Sequence, residues 1–221
     1  MGIRKGGIIM KKPWAEMSIR EFQAALASSS PTPGGGTAAA ISLGQAAALT
    51  IMVSDLTIGK EKWSEGWDAA EKAVLSSIRV MSRASELADE DSNSFDLVMD
   101  AYRLPKGDET EKKSRLEQIR KSTLHAAEVP FETALNGLEI LELLPELAMK
   151  GNANAVSDVG VAGLLASAAC KGALFNVEIN LQSLPDDFGV EIRNKIPEVK
   201  ERSRELSRQV MDSVRDRMSN D

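Results

Sequence analysis

The sequence predicts an all-α fold, a helical bundle in which two buried helices of small residues are wrapped by longer amphipathic ones. Three observations lead there. Apolar residues recur at helical spacing over nearly the whole chain after residue 36, β-branched alternation is nowhere sustained, and two stretches are almost wholly Ala, Gly, Ser and aliphatic residues. A chain of 221 residues, 43% hydrophobic and 27% charged, has enough apolar material for one domain. We place a short N-terminal arm at 1–12 and one helical domain at 13–221. The arm carries basic residues but no apolar run of signal-peptide length.

The first small-residue helix follows "SPTPGGGTAAA" at residues 30–40. Gly36, Ala40, Gly44 and Ala48 form an i, i+4 ladder that admits a close neighbour, and Ile41, Leu43, Leu49, Ile51 and Val53 make the other faces apolar. No charge occurs from Phe22 to Ser54, yet the apolar part, Ala38 to Val53, is shorter than the roughly 20 residues of a membrane span. The expectation is a helix buried in protein, not in a bilayer. From Glu61, the residues Trp63, Trp67, Ala70, Val74, Ile78, Met81 and Ala88 fall at helical spacing as a predicted buried stripe, which continues through Phe95, Val98 and Tyr102 and stops at Pro105. Leu116, Ile119 and Thr123 lead a further helix towards Pro130, which is expected to kink or restart it. Leu135, Leu138, Leu141 and Leu144 carry the next, with Gly151 as its C-cap. "GNANAVSD" reads as a loop in which Ser157 or Asp158 caps the second small-residue helix, Val159 to Ala173. The tail from Glu191 to Met218 buries Ile196, Val199, Leu206, Val210 and Val214.

Charge and cysteine content narrow the function. A net charge of −6 argues against a nucleic-acid binder. The single cysteine, Cys170, rules out an internal disulfide framework and a multi-cysteine metal site, and with the absence of a leader points to the cytoplasm. No spacing suggests metal ligands, and His125, the one histidine, has no triad context.

Three constellations remain. The glycine run lacks the lysine of a phosphate loop and follows no strand. It is either a bare-backbone turn at a helix N-terminus, open to an anion or a carbonyl oxygen, or a tight approach to a crowded central helix. In "LADEDSNSFDLVMDAYRLP", Asp91 shares a helix face with Phe95, Val98 and Tyr102, whereas Asp89 points elsewhere, towards solvent. A carboxylate on an apolar face is either capped or salt-bridged, or has a raised pKa suited to proton transfer. Asn176 and Asn180 sit at i, i+4 beside Gly172, Ala169 and Ala162, as in a groove with amide walls or as ties for helix ends.

Taken in order, "SPTPGGGTAAA", "LTIGK", "DEDSNSFDLVMDAYRLPK", "GNANAVSDVGVA" and "NVEINL" resemble the folate cyclodeaminase/methenyltetrahydrofolate cyclohydrolase family, which includes the cyclodeaminase half of formiminotransferase-cyclodeaminase and short stand-alone relatives. The resemblance implies an all-helical protomer in homo-oligomers built from dimers, with a tetrahydrofolate derivative bound near the subunit interface and no cofactor beyond it. It implies Asp91 as the catalytic acid. It further implies substrate-binding positions at Gly34, Gly35, Gly36, Thr37, Thr57, Lys60, Asn152, Asp158, Asn176 and Asn180, with Lys60 suited to the folate glutamate tail. Where many relatives carry Asn before "LT", this chain has Asp55. The first expectation for the reaction is cyclodeamination of 5-formimino-tetrahydrofolate. Cyclohydrolysis of methenyl-tetrahydrofolate comes second, and a non-catalytic folate-binding oligomer third.

Overall fold

The computed structural model describes residues 12–220, so the predicted arm lies outside the described residues except for Lys12. Six α-helices follow in order: α1 Ile19–Leu26, α2 Gly35–Thr57, α3 Trp67–Arg103, α4 Glu109–Lys150, α5 Val156–Gln182 and α6 Val190–Asn220. Short 3-10 turns stand at Trp14–Glu16, Glu61–Gly66 and Ala153–Ala155, and no strand occurs among the described residues.

The two small-residue helices are α2 and α5, and they pack against each other. They run antiparallel: a Cβ on Gly35 would lie 3.8 Å from the Asn176 amide, one on Gly172 would meet Ala39, and the Ser42 hydroxyl donates to the Leu165 carbonyl. Around this pair, α3 covers α2, α4 contacts both, and α6 covers α5 and α4. The principal core joins Leu43 and Val53 of α2 to Val80, Leu141, Leu144, Val159, Ala166 and Val210.

The small-residue ladder works as its spacing implies. Gly44 faces Ala84 of α3, Gly36 faces Asp91, and Ala40 packs with Leu87 and Ala88. The α5–α6 contact is equally close, since a Cβ on Gly163 would fall 2.7 Å from Val210. All five predicted apolar contacts of the tail are buried.

Three expectations need correction. Pro130 does not restart a helix, because α4 runs unbroken through both Pro130 and Pro145. The cap of α5 is Ala155, after the 3-10 turn, not Ser157 or Asp158, which lie inside the first turn. Gly151 is the C-cap of α4 as expected, but in extended backbone with φ −73°. The buried stripe of α3 is also rotated from the predicted one. Ala70, Ala73, Ser77, Val80, Ala84 and Leu87 face inward, whereas Ile78 and Met81 are exposed and Tyr102 is half exposed. Residue size decides this face: a helix packed on the Gly/Ala ladder of α2 must present small side chains. Periodicity of hydrophobicity alone selects the larger residues.

Candidate active site

The glycine turn, α3 and the C-terminal half of α5 enclose a pocket of about 380 Å³, a volume typical of small-molecule sites. Its wall includes Pro31, Gly34, Gly35 and Gly36 from the turn, Asp91, Phe95 and Val98 from α3, and Asn176 and Asn180 from α5. The face shared by Asp91, Phe95 and Val98 therefore looks into the pocket and not into the core. Tyr102, one turn further on, is outside it.

None of the three glycines has positive φ, so left-handed backbone does not explain them. Gly36 is explained by contact. A Cβ there would fall 2.1 Å from Asp91 Oδ1 and 2.8 Å from Oδ2, so the carboxylate occupies the space that a side chain would take. At Gly34 and Gly35 an added Cβ would find only ordinary contacts, at 3.6 Å and 3.8 Å. Those two leave backbone open to the pocket. Gly34 caps α2 without a side-chain hydrogen bond, so the first N–H groups of the helix have no intrahelical partner.

Asp91 combines the two readings that the sequence left open. Its Oδ2 accepts from the Thr37 hydroxyl at 2.9 Å, and the Thr37 backbone N–H adds to this, so the carboxylate ties α3 to the N-terminus of α2. Burial nevertheless dominates and pushes its pKa above the usual aspartate range, with the Thr37 donors acting in the opposite direction. It is the only ionisable side chain among the lining residues. Asn176 donates to the Gly172 carbonyl and Asn180 to the Ala126 carbonyl, which fixes both amides and leaves their oxygens able to accept.

The other predicted site residues are not brought to this pocket within one chain. Thr37 is fully buried and bonds behind the carboxylate. Thr57, Lys60, Asn152 and Asp158 stand at the opposite end of α2, a helix of 23 residues and hence roughly 34 Å long. There Thr57 Oγ1 donates to Val53 and accepts the Asn152 N–H, while the Asn152 amide donates to the Leu56 carbonyl. Lys60 is exposed and Asp158 is half-buried in the first turn of α5. Asp55, the departure from the family pattern, also lies at this far end.

Sequence reasoning missed Ser94, Ala126 and Ile179 in the pocket wall, and Trp14 and Ser92 behind it. Asp89 is not simply solvated, since its Oδ1 accepts the Trp14 backbone N–H at 2.9 Å. Ser92 and Asp89 flank the aspartate in sequence, which is a usable signal. Trp14 has none.

The result is an all-helical protein whose pocket sets one half-buried carboxylate against a bare helix N-terminus and so offers a small molecule a single titratable side chain. The chain belongs to the formiminotransferase-cyclodeaminase family, whose sequence model matches residues 18–198. It is 42% identical over 179 residues to the methenyltetrahydrofolate cyclohydrolase of Methylorubrum extorquens, covering 80% of this chain and 86% of that protein. It is 30% identical to the formimidoyltransferase-cyclodeaminase of Sus scrofa over 91% of this chain, but spans only 37% of that protein's length. The crystal structure of formiminotetrahydrofolate cyclodeaminase from Thermotoga maritima superposes with a TM-score of 0.80 at 27% identity, covering 91% of this chain and 97% of that one.

Proposed function

We propose that this pocket acts on the carbon joining N5 and N10 of a tetrahydrofolate derivative, and that Asp91 moves the proton. The observation that carries this reading is a lone ionisable group, raised in proton affinity by burial, in a pocket otherwise lined by backbone, amides and apolar side chains. In the cyclodeaminase direction, N10 of 5-formimino-tetrahydrofolate attacks the formimino carbon. With the formimino group protonated as an amidinium, Asp91 accepts the N10 proton as the N10–C bond forms and gives it to the amino nitrogen as the C–N bond breaks, so that ammonia leaves and cationic 5,10-methenyl-tetrahydrofolate remains. The carboxylate also stabilises the cationic product ring. Bonds are exchanged with no change of oxidation state, so the proposal includes no cofactor beyond the folate.

The nucleophile here is internal, and one carboxylate suffices for it. Within one chain Asp55, a residue suited by type to orient an attacking water, is at the far end of α2, and only a partner subunit could bring it to the pocket. The second reading is cyclohydrolysis, in which Asp91 takes a proton from water as it adds to the same carbon. It is favoured by the 42% identity to a protein named as a cyclohydrolase.

We also propose a homodimer formed by the exposed face of α2 and α5. Val161, Leu164, Ala168, Phe175 and Ile179 lie on one exposed face of α5, interrupted by Lys171, with Phe175 at 71% and Leu164 at 60%. Met52 and Leu56 of α2 add to this face. Both helices are long and apolar enough to cross a membrane by length and composition, yet about half of each is buried inside the protein. In this pairing the two-fold axis runs perpendicular to α2 and α5, which sets the Lys60/Asn152/Asp158 end of one protomer towards the pocket end of its partner. That arrangement reunites the two groups of residues that a single chain keeps apart.

The reaction is tested by supplying 5-formimino-tetrahydrofolate and following ammonia and methenyl absorbance together. Release of the two products one for one is expected. Hydrolysis of methenyl-tetrahydrofolate to 10-formyl-tetrahydrofolate with no ammonia from the formimino compound would select the second reading, and inactivity towards both would refute the proposal.

A further inference from the structure

Behind Asp91, away from the pocket, a line of buried donors crosses three elements. The Trp14 indole N–H donates to Ser92 Oγ at 2.9 Å, Ser92 Oγ and Thr37 Oγ1 are 3.1 Å apart, and the Thr37 hydroxyl donates to Asp91 Oδ2 at 2.9 Å. Trp14 is 5% exposed, Ser92 1% and Thr37 0%. Chemistry fixes the direction of every bond. Indole N–H can only donate, and an ionised carboxylate can only accept. The Thr37 proton is therefore spent on Asp91, and the Ser92 proton must point to Thr37. Each hydroxyl accepts once and donates once, so all dipoles point towards the carboxylate, and in a dry interior such aligned bonds strengthen one another.

We propose that Trp14, Ser92 and Thr37 are positioning residues that hold the Asp91 carboxylate by its Oδ2 edge in the notch over Gly36 and stabilise its ionised form. Trp14 is held in place for this task from two sides. Its backbone N–H is bonded to Asp89 Oδ1, and its ring packs edge-on to Phe22 with centroids 6.2 Å apart. The segment preceding α1 thus completes the site from behind, some 75 residues away in sequence from the residues it supports.

The charges around Asp91 leave this role to the neutral donors. The first turn of α2 carries no acidic residue, and α5 presents the neutral Asn176 and Asn180. On α3, Asp89 is engaged by Trp14 and Glu90 by Arg83. On α4, His125 and Glu128 flank Ala126 and pair with each other at 3.5 Å. Glu178 of α5 pairs with Lys200, and on the N-terminal segment Lys12 pairs with Glu21. Among the described residues, burial and the Thr37 donors are what shift Asp91, and no charged group contributes. Removing donors must raise its proton affinity, because donors favour the ionised form.

The inference rests on Asp91 as the proton shuttle, so the test reads the carboxyl group and the reaction separately. The full chain, labelled with ¹³Cγ-aspartate, is titrated by NMR, with the Asp91 signal assigned by its loss in Asp91→Asn. In parallel, kcat is measured against pH. Thr37→Val is expected to move the Asp91 midpoint upward by roughly one pH unit, the scale of one lost donor to a carboxylate. Ser92→Ala and Trp14→Phe should move it less in the same direction, Thr37→Ser should leave it in place, and the acid limb of kcat should follow each shift. Ser92→Ala breaks the line without disturbing ring packing, so the inference does not depend on how well Trp14→Phe folds. A midpoint unmoved in Thr37→Val and Ser92→Ala overturns the inference, as does a shift in Thr37→Ser equal to that in Thr37→Val. If the midpoint moves while the kcat limb stays fixed, the positioning line stands and the reading of Asp91 as shuttle fails.

Discussion

At Gly36 the main chain of α2 and the carboxylate of Asp91 share a volume that admits only one of them, whereas at Gly35 the backbone borders open pocket. These two neighbouring glycines must therefore fail in different ways. Gly35→Ala introduces no clash with the protein, and alanine is better tolerated in a helix than glycine. It should leave Tm and kcat near wild type and raise KM for the folate several-fold, because the added methyl meets the ligand. Gly36→Ala forces the carboxylate aside. Its kcat should fall by roughly one to two orders of magnitude, the scale of a misplacement of about 1 Å at a reacting centre. Steady-state kinetics beside thermal melts separates the two, and equal KM effects with unchanged kcat would remove the notch from the account. Helical phase in the sequence was enough to single out Asp91 and to set Asp89 apart from it. The partner of Gly36 was not legible, because the contact joins residues 36 and 91 through a packing distance and no local pattern encodes it.

At the scale of elements, α2 and α5 are predominantly apolar with no distinct polar face, but the chain covers only part of that surface. The uncovered strip of α5 begins with Val161 and Leu164, well away from Asn176 and the pocket along the same helix. A charge placed there tests the dimer without touching the pocket of its own chain. Leu164→Glu should convert the protein from dimer to monomer by light scattering, with helical circular dichroism retained and turnover reduced. A wild-type chain that is monomeric at working concentration would refute the pairing. Both small-residue helices and the tail were legible, since Gly/Ala ladders and amphipathic spacing survive in any tertiary context. The inward face of α3 was not. Its sequence offers one stripe with Ile78 and Met81 and another with Ala73, Ser77 and Ala84, and only the closeness of α2 selects the smaller residues. The continuity of α4 was hidden for a similar reason, because packing outweighs the hydrogen bonds that Pro130 and Pro145 remove.

For the molecule as a whole, the site carries a cost in stability. Burial raises the pKa of Asp91 in the folded state above its unfolded value, so the fold prefers the protonated acid. That contribution is complete below the ordinary aspartate range and is lost as pH rises through the raised value, leaving an ionised, partly desolvated carboxylate at neutral pH. An amide at this position keeps an oxygen acceptor for Thr37 and has no charge to desolvate. Function and stability therefore pull apart at one residue, as expected where a destabilising group is retained for chemistry. The account's central claim, that Asp91 is present to move a proton, is met most directly by Asp91→Asn, with single-turnover formation of methenyl-tetrahydrofolate and Tm both followed across pH. The account predicts a rate lower by roughly two to four orders of magnitude, together with a Tm above wild type at neutral pH that converges with it in acid. A variant that keeps turnover within a few-fold of wild type, or that melts below wild type at neutral pH, would contradict it.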